Sequence, residues 1–432
     1  MYILHYSLGF PPYRIGGLVK FCMDLMTYQR ENGNRVALLW PGEMIGKRIR
    51  IRHTKIMGFD SFEIINPLPV SICNGIQDDK LFTKKCDEDI FEEFLEKEKP
   101  DIIHIHTLEG LPIEFLKIAK SKKIRLLYST HDLFGLCPTN DMFRISKLCD
   151  VKCVDCSECN QYAFSLRKIK VMQSPVYRKL KNTFLVKYLR KKIRKDAKNE
   201  ESVEYKDLKC DYAKLKRYYL ECFSLFDMIH CNSSVTYNIF SNVVDTSLLR
   251  MVNITQRTIS DNRKQRANKI KTTVNLLYIG VEVTNKGFYY LIDILDAMYK
   301  IRNDFKLVVY SQDDYVKRDY IIKHDTYSYE ELPQIYAGAD LLLMPSLRYE
   351  TFGFVTLEAY YYGVPALVTD TVGSKDIIVN DVTGFVASKD MYQGKIQELL
   401  DNKERICAVS ENIKLYNKDI PYNEMVERIY KS

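Results

Sequence analysis

Pro345-Ser346-Leu347-Arg348-Tyr349-Glu350-Thr351-Phe352-Gly353-Phe354-Val355-Thr356-Leu357-Glu358-Ala359, continued by Gly363-Val364-Pro365, is the stretch on which the reading of this chain turns. The run before it, Ala339-Asp340-Leu341-Leu342-Leu343-Met344, is short and apolar and predicts a buried parallel strand. Glu350 then falls in the turn after the strand, and Glu358 falls one turn into the following helix. Seven residues separate the two carboxylates, and in that setting both can face one ligand. Gly353 has no Cβ, so the backbone N–H groups between the acids can approach a ligand closely. An open strand end facing a helix N-terminus suits phosphate, because the first N–H groups of a helix lack internal partners. Any two acids at this spacing, taken without their flanks, would read as an N-capped amphipathic element with two solvated carboxylates.

With their flanking Pro-Ser, Phe-Gly and Gly-Val-Pro, these residues closely resemble the E-x7-E donor-site motif of family 4 retaining glycosyltransferases. That family has the GT-B fold, an α/β architecture of two facing Rossmann-like domains with a cleft between them. The resemblance implies that Glu350 sits at the transferred sugar and that Glu358 holds the ribose of a sugar nucleotide. It also implies that the backbone of Phe352, Gly353, Phe354 and Val355 cradles the diphosphate.

The rest of the chain fits two domains. Its 432 residues exceed one ordinary core and suit two of roughly 200 residues each. The first half alternates strand and helix patterns: Tyr2 to Ser7, then a helical pattern through Leu18, Phe21, Cys22, Leu25 and Met26, then Arg35 to Trp40. Gly16 and Gly17 stand at the helix entrance, where the dipole favours anions. By resemblance, this loop closes over the donor diphosphate, and Arg14 stands in it. Pro100 to His106 and Ile124 to Thr130 read as the next buried strands, and the second ends at His131-Asp132, where the family has a His that contacts the donor sugar. His104 and His106 alternate with isoleucines and are expected in core hydrogen bonds, with His106 at the strand end able to reach a ligand.

The predicted boundaries are an acceptor-side domain over 1–240, a polar linker from Ser260 to Lys271, a donor-binding domain over 272–415, and a final helix over 416–432 that crosses back to the first domain. Strand Val274 to Ile279 leads through Gly280 to Lys286-Gly287, and the resemblance puts Lys286 on the diphosphate. The family usually carries an Arg directly after the glycine equivalent to Gly280. Here Val281 stands there, with Glu282 beside it. Arg14 and Arg348 are the candidates to compensate, and Arg14 is the one expected to do so.

Composition narrows the remaining questions. The chain opens into a strand-like segment without the zones of a signal peptide, and no uncharged apolar run reaches the roughly 18 residues of a membrane span. These features predict a cytoplasmic protein. In such a compartment most of the twelve cysteines should be reduced, buried or metal-bound. Cys149, Cys153, Cys156 and Cys159 are dense enough for a structural zinc site, or for uncoordinated thiols in a loop. The net charge of +8 is concentrated in the basic segment 167–217. There Leu185, Leu189 and Ile193 form an apolar stripe among Lys181, Lys187, Arg190, Lys191, Arg194, Lys195 and Lys198. Such a helix can lie on an anionic membrane at the inner face of the cell, or pack on the first domain with a solvated basic face. No recognition-module pattern for nucleic acid accompanies the charge.

The combined expectation is a retaining transferase moving a hexose-type sugar from a UDP- or GDP-sugar to a hydroxyl of a cell-surface glycan or lipid-linked acceptor. Glu350, His131 and Lys286 would be its catalytic residues, and no cofactor is required for catalysis. The alternatives are a non-catalytic, membrane-associated GT-B scaffold or another GT-B enzyme such as a sugar-nucleotide epimerase. If Arg14 replaces the missing cation, Arg14→Ala is expected to lower turnover in a transfer assay, and unaltered turnover removes that role.

Overall fold

The computed structural model describes residues 1–71, 75–144, 147–150, 156–181, 183, 184, 186, 208–266, 272–313, 316–416 and 421–431. Two compact units divide the chain. The first comprises Met1–Asn140, Asp150–His230 and Phe240–Leu249, and the second Asp141–Cys149, Cys231–Ile239 and Arg250–Ser432.

An eight-stranded sheet, most of it in the first unit, comprises β1 (Tyr2–Tyr6), β2 (Arg35–Pro41), β3 (Arg50–Ile56), β4 (Phe59–Ile65), β5 (Ile102–Ile105), β6 (Arg125–Ser129), and, after a short antiparallel pair β7 (Phe143–Arg144) and β8 (Lys147–Leu148) that belongs to the second unit, β9 (Met228–Cys231) and β10 (Leu249–Met251). They lie in the order β10-β9-β6-β5-β1-β2-β4-β3. Neighbours from β9 to β4 pair in parallel, and β3 joins the edge antiparallel. From β1 the chain winds first toward β2 and later toward β5. The order therefore reverses between β1 and β5, and the carboxyl ends there are where such a sheet leaves room for a ligand.

The second unit carries β11 (Val274–Ile279), β12 (Phe305–Tyr310), β13 (Ile321–His324), β14 (Leu341–Met344), β15 (Ala366–Thr369) and β16 (Phe385–Ala387). All pair in parallel, in the order β13-β12-β11-β14-β15-β16. Alternate residues face opposite sides of a strand, and both sides of this sheet are covered. Leu276, Leu307, Leu341 and Leu367 pack with Leu291, Leu295 and Ile396, while Leu277, Leu342, Ala366 and Val368 pack with Tyr336, Ala359 and Val364. The continuous apolar run at Leu341–Met344 is the sequence signature of that double burial. The order reverses between β11 and β14, so Gly280–Lys286 and Pro345–Gly353 leave the sheet side by side.

The stretch read as a linker is, in its described part, embedded in the second unit. Arg263 is buried and donates to the Tyr360 hydroxyl and the Tyr416 carbonyl, both at 3.1 Å. Arg266 donates to the carbonyls of Tyr336 (3.0 Å) and Ala339 (2.6 Å) and to the Ser410 hydroxyl (3.1 Å). The polar composition signalled solvent, but guanidinium donors were needed at the end of helix Leu332–Gly338, whose last carbonyls have no partner within the helix. The final helix, Tyr422–Tyr430, buries Met425, Val426 and Ile429, and the Thr255 N–H meets Met425 Sδ at 3.3 Å.

Gly287 decides how closely the two central loops approach. Its φ is +73°, and a Cβ would lie 1.8 Å from the Pro345 carbonyl oxygen, a backbone atom that cannot swing away. Gly287→Ala is expected to cost about 2 kcal/mol or more from the left-handed conformation and the clash together, read as a lower urea midpoint.

Candidate active site

The second unit's site grows from those two loops. The N–H groups of Leu347 and Arg348 both donate to the Asn285 carbonyl at 3.1 Å. Glu350 is fixed by backbone bonds on both sides: its N–H donates to Thr371 O (3.1 Å) and its carbonyl accepts from Gly373 N (2.9 Å). The Thr369 and Thr371 hydroxyls hold the Ser346 carbonyl at 2.7 and 2.8 Å. This clasp places the Lys286 ammonium in an ion pair with Glu350 Oε2, and Arg348 Nη2 lies 3.7 Å from the same oxygen. The pair is about a fifth exposed. Burial pushes the Glu350 carboxyl up, but Lys286 and then Arg348 outweigh it and hold the group below the ordinary range. Burial pulls the Lys286 ammonium down, Glu350 opposes this, and Arg348 adds to it.

Helix Phe354–Tyr361 begins directly after Gly353, whose φ is +99°. A Cβ on Gly353 would meet Met344 Cε at 2.7 Å and Ser374 Oγ at 3.3 Å. Glycine therefore brings the helix N-terminus close to the end of β14. One turn on, Glu358 is buried and accepts from Gln256 Nε2 and the Tyr336 hydroxyl, each at 3.2 Å. Glu358 is thus held by neutral donors and Glu350 by cations. Gln256 and Tyr336 were not legible as site residues, since neither is near Glu358 in sequence.

Val281 is 44% exposed and offers no charge. Glu282 beside it is buried and paired with Lys323, so that lysine serves Glu282.

In the first unit the carboxyl ends of β1, β5, β6 and β9 gather five of the seven histidines. Register places His5 opposite His104. His5 Nε2 meets Gln29 Oε1 at 2.7 Å, His5 Nδ1 meets His106 Nε2 at 3.1 Å, and His106 Nδ1 meets His131 Nε2 at 3.2 Å. His104 Nε2 and His230 Nδ1 each meet Ser129 Oγ at 2.8 Å. With every ring neutral, one proton serves each bond. Gln29 then accepts from His5, His5 from His106, and His106 from His131, which makes Nδ1 of His131 an acceptor. Burial drives this neutrality: it lowers His5 to about 4 and His131 to about 3, and it takes His104 and His106 well down. Asp132 is pushed up to about 6, again by burial. His104 and His106 are both found in core hydrogen bonds, as their alternation with isoleucines led us to expect. His5, the anchor of the chain, was not singled out in the sequence.

Gly16, at φ +131°, caps helix Gly17–Glu31. A Cβ there would meet nothing within 4 Å, so the conformation selects glycine at this position and crowding does not. Arg14 is half-buried in the same loop. Of the cysteines read as a zinc site, Cys153 lies outside the described residues. Cys149, Cys156 and Cys159 enter no cluster of metal donors among the described residues; the one such group is His5, Cys22 and His106, whose rings already bond one another. Most of the basic stripe, including Leu185, Leu189 and Ile193, also lies outside the described residues. Among the described residues no helix is long and apolar enough to cross a membrane.

Two parallel-sheet α/β units of this kind define the GT-B fold. Residues 260–416, which carry Lys286, Arg348, Glu350 and Glu358, match the profile of the family described as glycosyl transferases group 1. An uncharacterized 41.2 kDa protein in the cps region of Klebsiella pneumoniae is 26% identical over 182 residues, 39% of this chain and 50% of the relative. The lipopolysaccharide 1,2-N-acetylglucosaminetransferase of Salmonella typhimurium is 26% identical over 172 residues, 35% of this chain and 45% of the relative. The chain thus spans half or less of the length of these two relatives. Among solved structures, HepE of Anabaena in complex with UDP-glucose superposes with a TM-score of 0.58 at 13% identity, covering 99% of this chain and 98% of that one. Its likeness is one of fold.

The buried histidines make stability depend on pH. Their folded pKa values are depressed, so below about 6.5 the unfolded chain binds protons that the folded chain refuses, and stability falls with pH until the folded values are reached. Each histidine contributes at most about 1.4 kcal/mol per pH unit. Asp132 acts in the opposite direction between its unfolded value and about 6. Four lowered histidines outweigh one raised aspartate. The melting temperature is expected to drop between pH 7 and pH 5, and a flat curve would contradict a neutral ladder.

Proposed function

We propose that this protein is a retaining glycosyltransferase that moves a hexose-type sugar from a nucleoside diphosphate donor, a UDP- or GDP-sugar, to a hydroxyl of a surface glycan or lipid-linked saccharide. The observation that carries the reading is the convergence of Lys286, Glu350 and the helix N-terminus at Gly353 where the strand order of the second sheet reverses, with buried Glu358 one turn away. The group 1 profile covers all four features. A relative named as a lipopolysaccharide glycosyltransferase and another from a cps region favour a surface-glycan acceptor.

In this reading the donor diphosphate lies against Lys286 and the helix N-terminus, and Glu358 holds the ribose. Charge grows on the diphosphate as the sugar leaves. A preorganised ammonium and backbone N–H groups stabilise that charge without having to reorient. Each charge-assisted hydrogen bond contributes about 1.5 to 3 kcal/mol. Glu350 holds Lys286 in place at rest and faces the sugar in the complex. The first unit's candidates for the donor are Nδ1 of His131, as an acceptor for a sugar hydroxyl, and the Gly16-Gly17 loop with Arg14. Attack by the acceptor hydroxyl on the face from which the diphosphate departs retains configuration with no protein nucleophile. The basic segment 167–217 would hold the enzyme at an anionic membrane where lipid-linked acceptors reside.

Val281 favours one rival, a scaffold that binds donor without transferring it. The first test is thermal stabilisation by UDP, GDP, ADP and their sugar conjugates. A ligand at 100 times its Kd adds about 2.7 kcal/mol. Stabilisation by one base and its loss in Glu358→Ala are the expected result, with Glu350→Gln chiefly lowering turnover. Stabilisation without transfer to any acceptor would point to the scaffold, and none by any nucleotide would sink the donor site.

A further inference from the structure

We propose that Arg348 supplies the second cation on the donor diphosphate, in the role left vacant by Val281, and that the Asp141 carboxylate holds that phosphate position until the donor displaces it. The inference rests on the donor-site reading above.

Arg348 is placed for this by the backbone. Its N–H donates to the carbonyl of Asn285, the residue next to Lys286, so its guanidinium and the Lys286 ammonium bear on the same Glu350 oxygen. A residue at the Val281 position would approach the diphosphate from the loop after β11, whereas Arg348 approaches from the loop after β14. Both loops leave the sheet at its order reversal, so a cation on either can meet one anion.

Asp141 occupies the guanidinium. One carboxylate oxygen accepts from Arg348 Nη1, and the other accepts from Asn285 Nδ2 at 2.7 Å. An oxyanion bridging a guanidinium and an amide is the arrangement a phosphate would adopt on the same donors. Asp141 opens the segment Asp141–Cys149, which belongs to the second unit while the chain on both sides of it belongs to the first. The Ser374 hydroxyl, buried beside Gly353, has no hydrogen-bond partner among the described residues and adds a donor for a phosphate oxygen at the helix N-terminus.

The charges also fit an exchange. Lys286 and Arg348 face Glu350 and Asp141, two cations against two anions, which leaves no net charge to attract a diphosphate. Replacing the Asp141 carboxylate by the diphosphate puts both cations on the ligand and keeps Glu350 for the sugar. Holding Arg348 on Asp141 also fixes a flexible side chain before binding, which lowers the entropy cost of recruiting it.

The test is calorimetric titration of the full chain with UDP and GDP, and with uridine and guanosine, which lack the phosphates. Arg348→Ala is expected to weaken binding of the recognised diphosphate about ten- to hundredfold and to leave its nucleoside unchanged. Asp141→Asn is expected to tighten the diphosphate several-fold, again with the nucleoside unchanged, and Val281→Arg to restore diphosphate binding to Arg348→Ala. Equal weakening of diphosphate and nucleoside in Arg348→Ala would mean a structural role and overturn the proposal. So would unchanged diphosphate binding in Arg348→Ala alongside its loss in Glu358→Ala, an outcome that leaves the donor site standing. Failure of the unsubstituted protein to bind any nucleotide would overturn the donor reading itself.

Discussion

The Asn285 carbonyl, receiving the N–H groups of Leu347 and Arg348, is the joint on which the second unit's chemistry depends. Two hydrogen bonds of this kind are worth about 1 kcal/mol each in net stability, yet they fix the register between two loops that are distant in sequence. Gly287 makes the approach sterically feasible, and the Ser346 carbonyl, held by two threonines, keeps the second loop from sliding. Only with the loops clasped do Lys286 and Arg348 share one carboxylate. The ion pair itself is weak evidence for stability, because partial burial costs each charge its hydration. Its value is positional, since it holds a cation where an anion can use it.

The first unit solves its polar problem with the opposite sign. Its strand ends hold neutral rings, buried at His5, His104 and His106 and part-buried at His131, with His5, His106 and His131 hydrogen-bonded in series, because an imidazolium there would lose its hydration without a counter-ion. The buried ladder converts a set of desolvated nitrogens into a rigid stack: His104 and His106 lie 4.2 Å apart between ring centroids, and Phe21 covers His131 at 4.6 Å. The tautomer of His131 is therefore set by Gln29, three hydrogen bonds away through His106 and His5. One unit thus offers oriented neutral dipoles and the other offers mobile charge held in check by carboxylates.

Much of this is legible in the sequence. The strand at Leu341–Met344, the turn at Glu350 and the helix carrying Glu358 follow from an apolar run, a glycine and a spacing, and all lie where the pattern puts them. The break at Val281 was equally visible. The polar stretch at Ser260–Lys271 was not, because composition alone cannot tell an exposed arginine from one that satisfies the carbonyl end of a helix.

By itself the sequence determined the local chemistry: which residue types stand at strand ends, where backbone can approach a ligand, and that both sheets are built on buried parallel strands. Local spacing suffices for these, since periodicity and glycine act over a few residues. Only the tertiary structure decided the partnerships: Arg348 with Asp141 and Asn285, Glu358 with Gln256 and Tyr336, His5 with His106 and Gln29. Each joins segments distant in the chain. Strand order and loop register place such segments together, and those are set by the packing of whole sheets and helices, which no short stretch of sequence records.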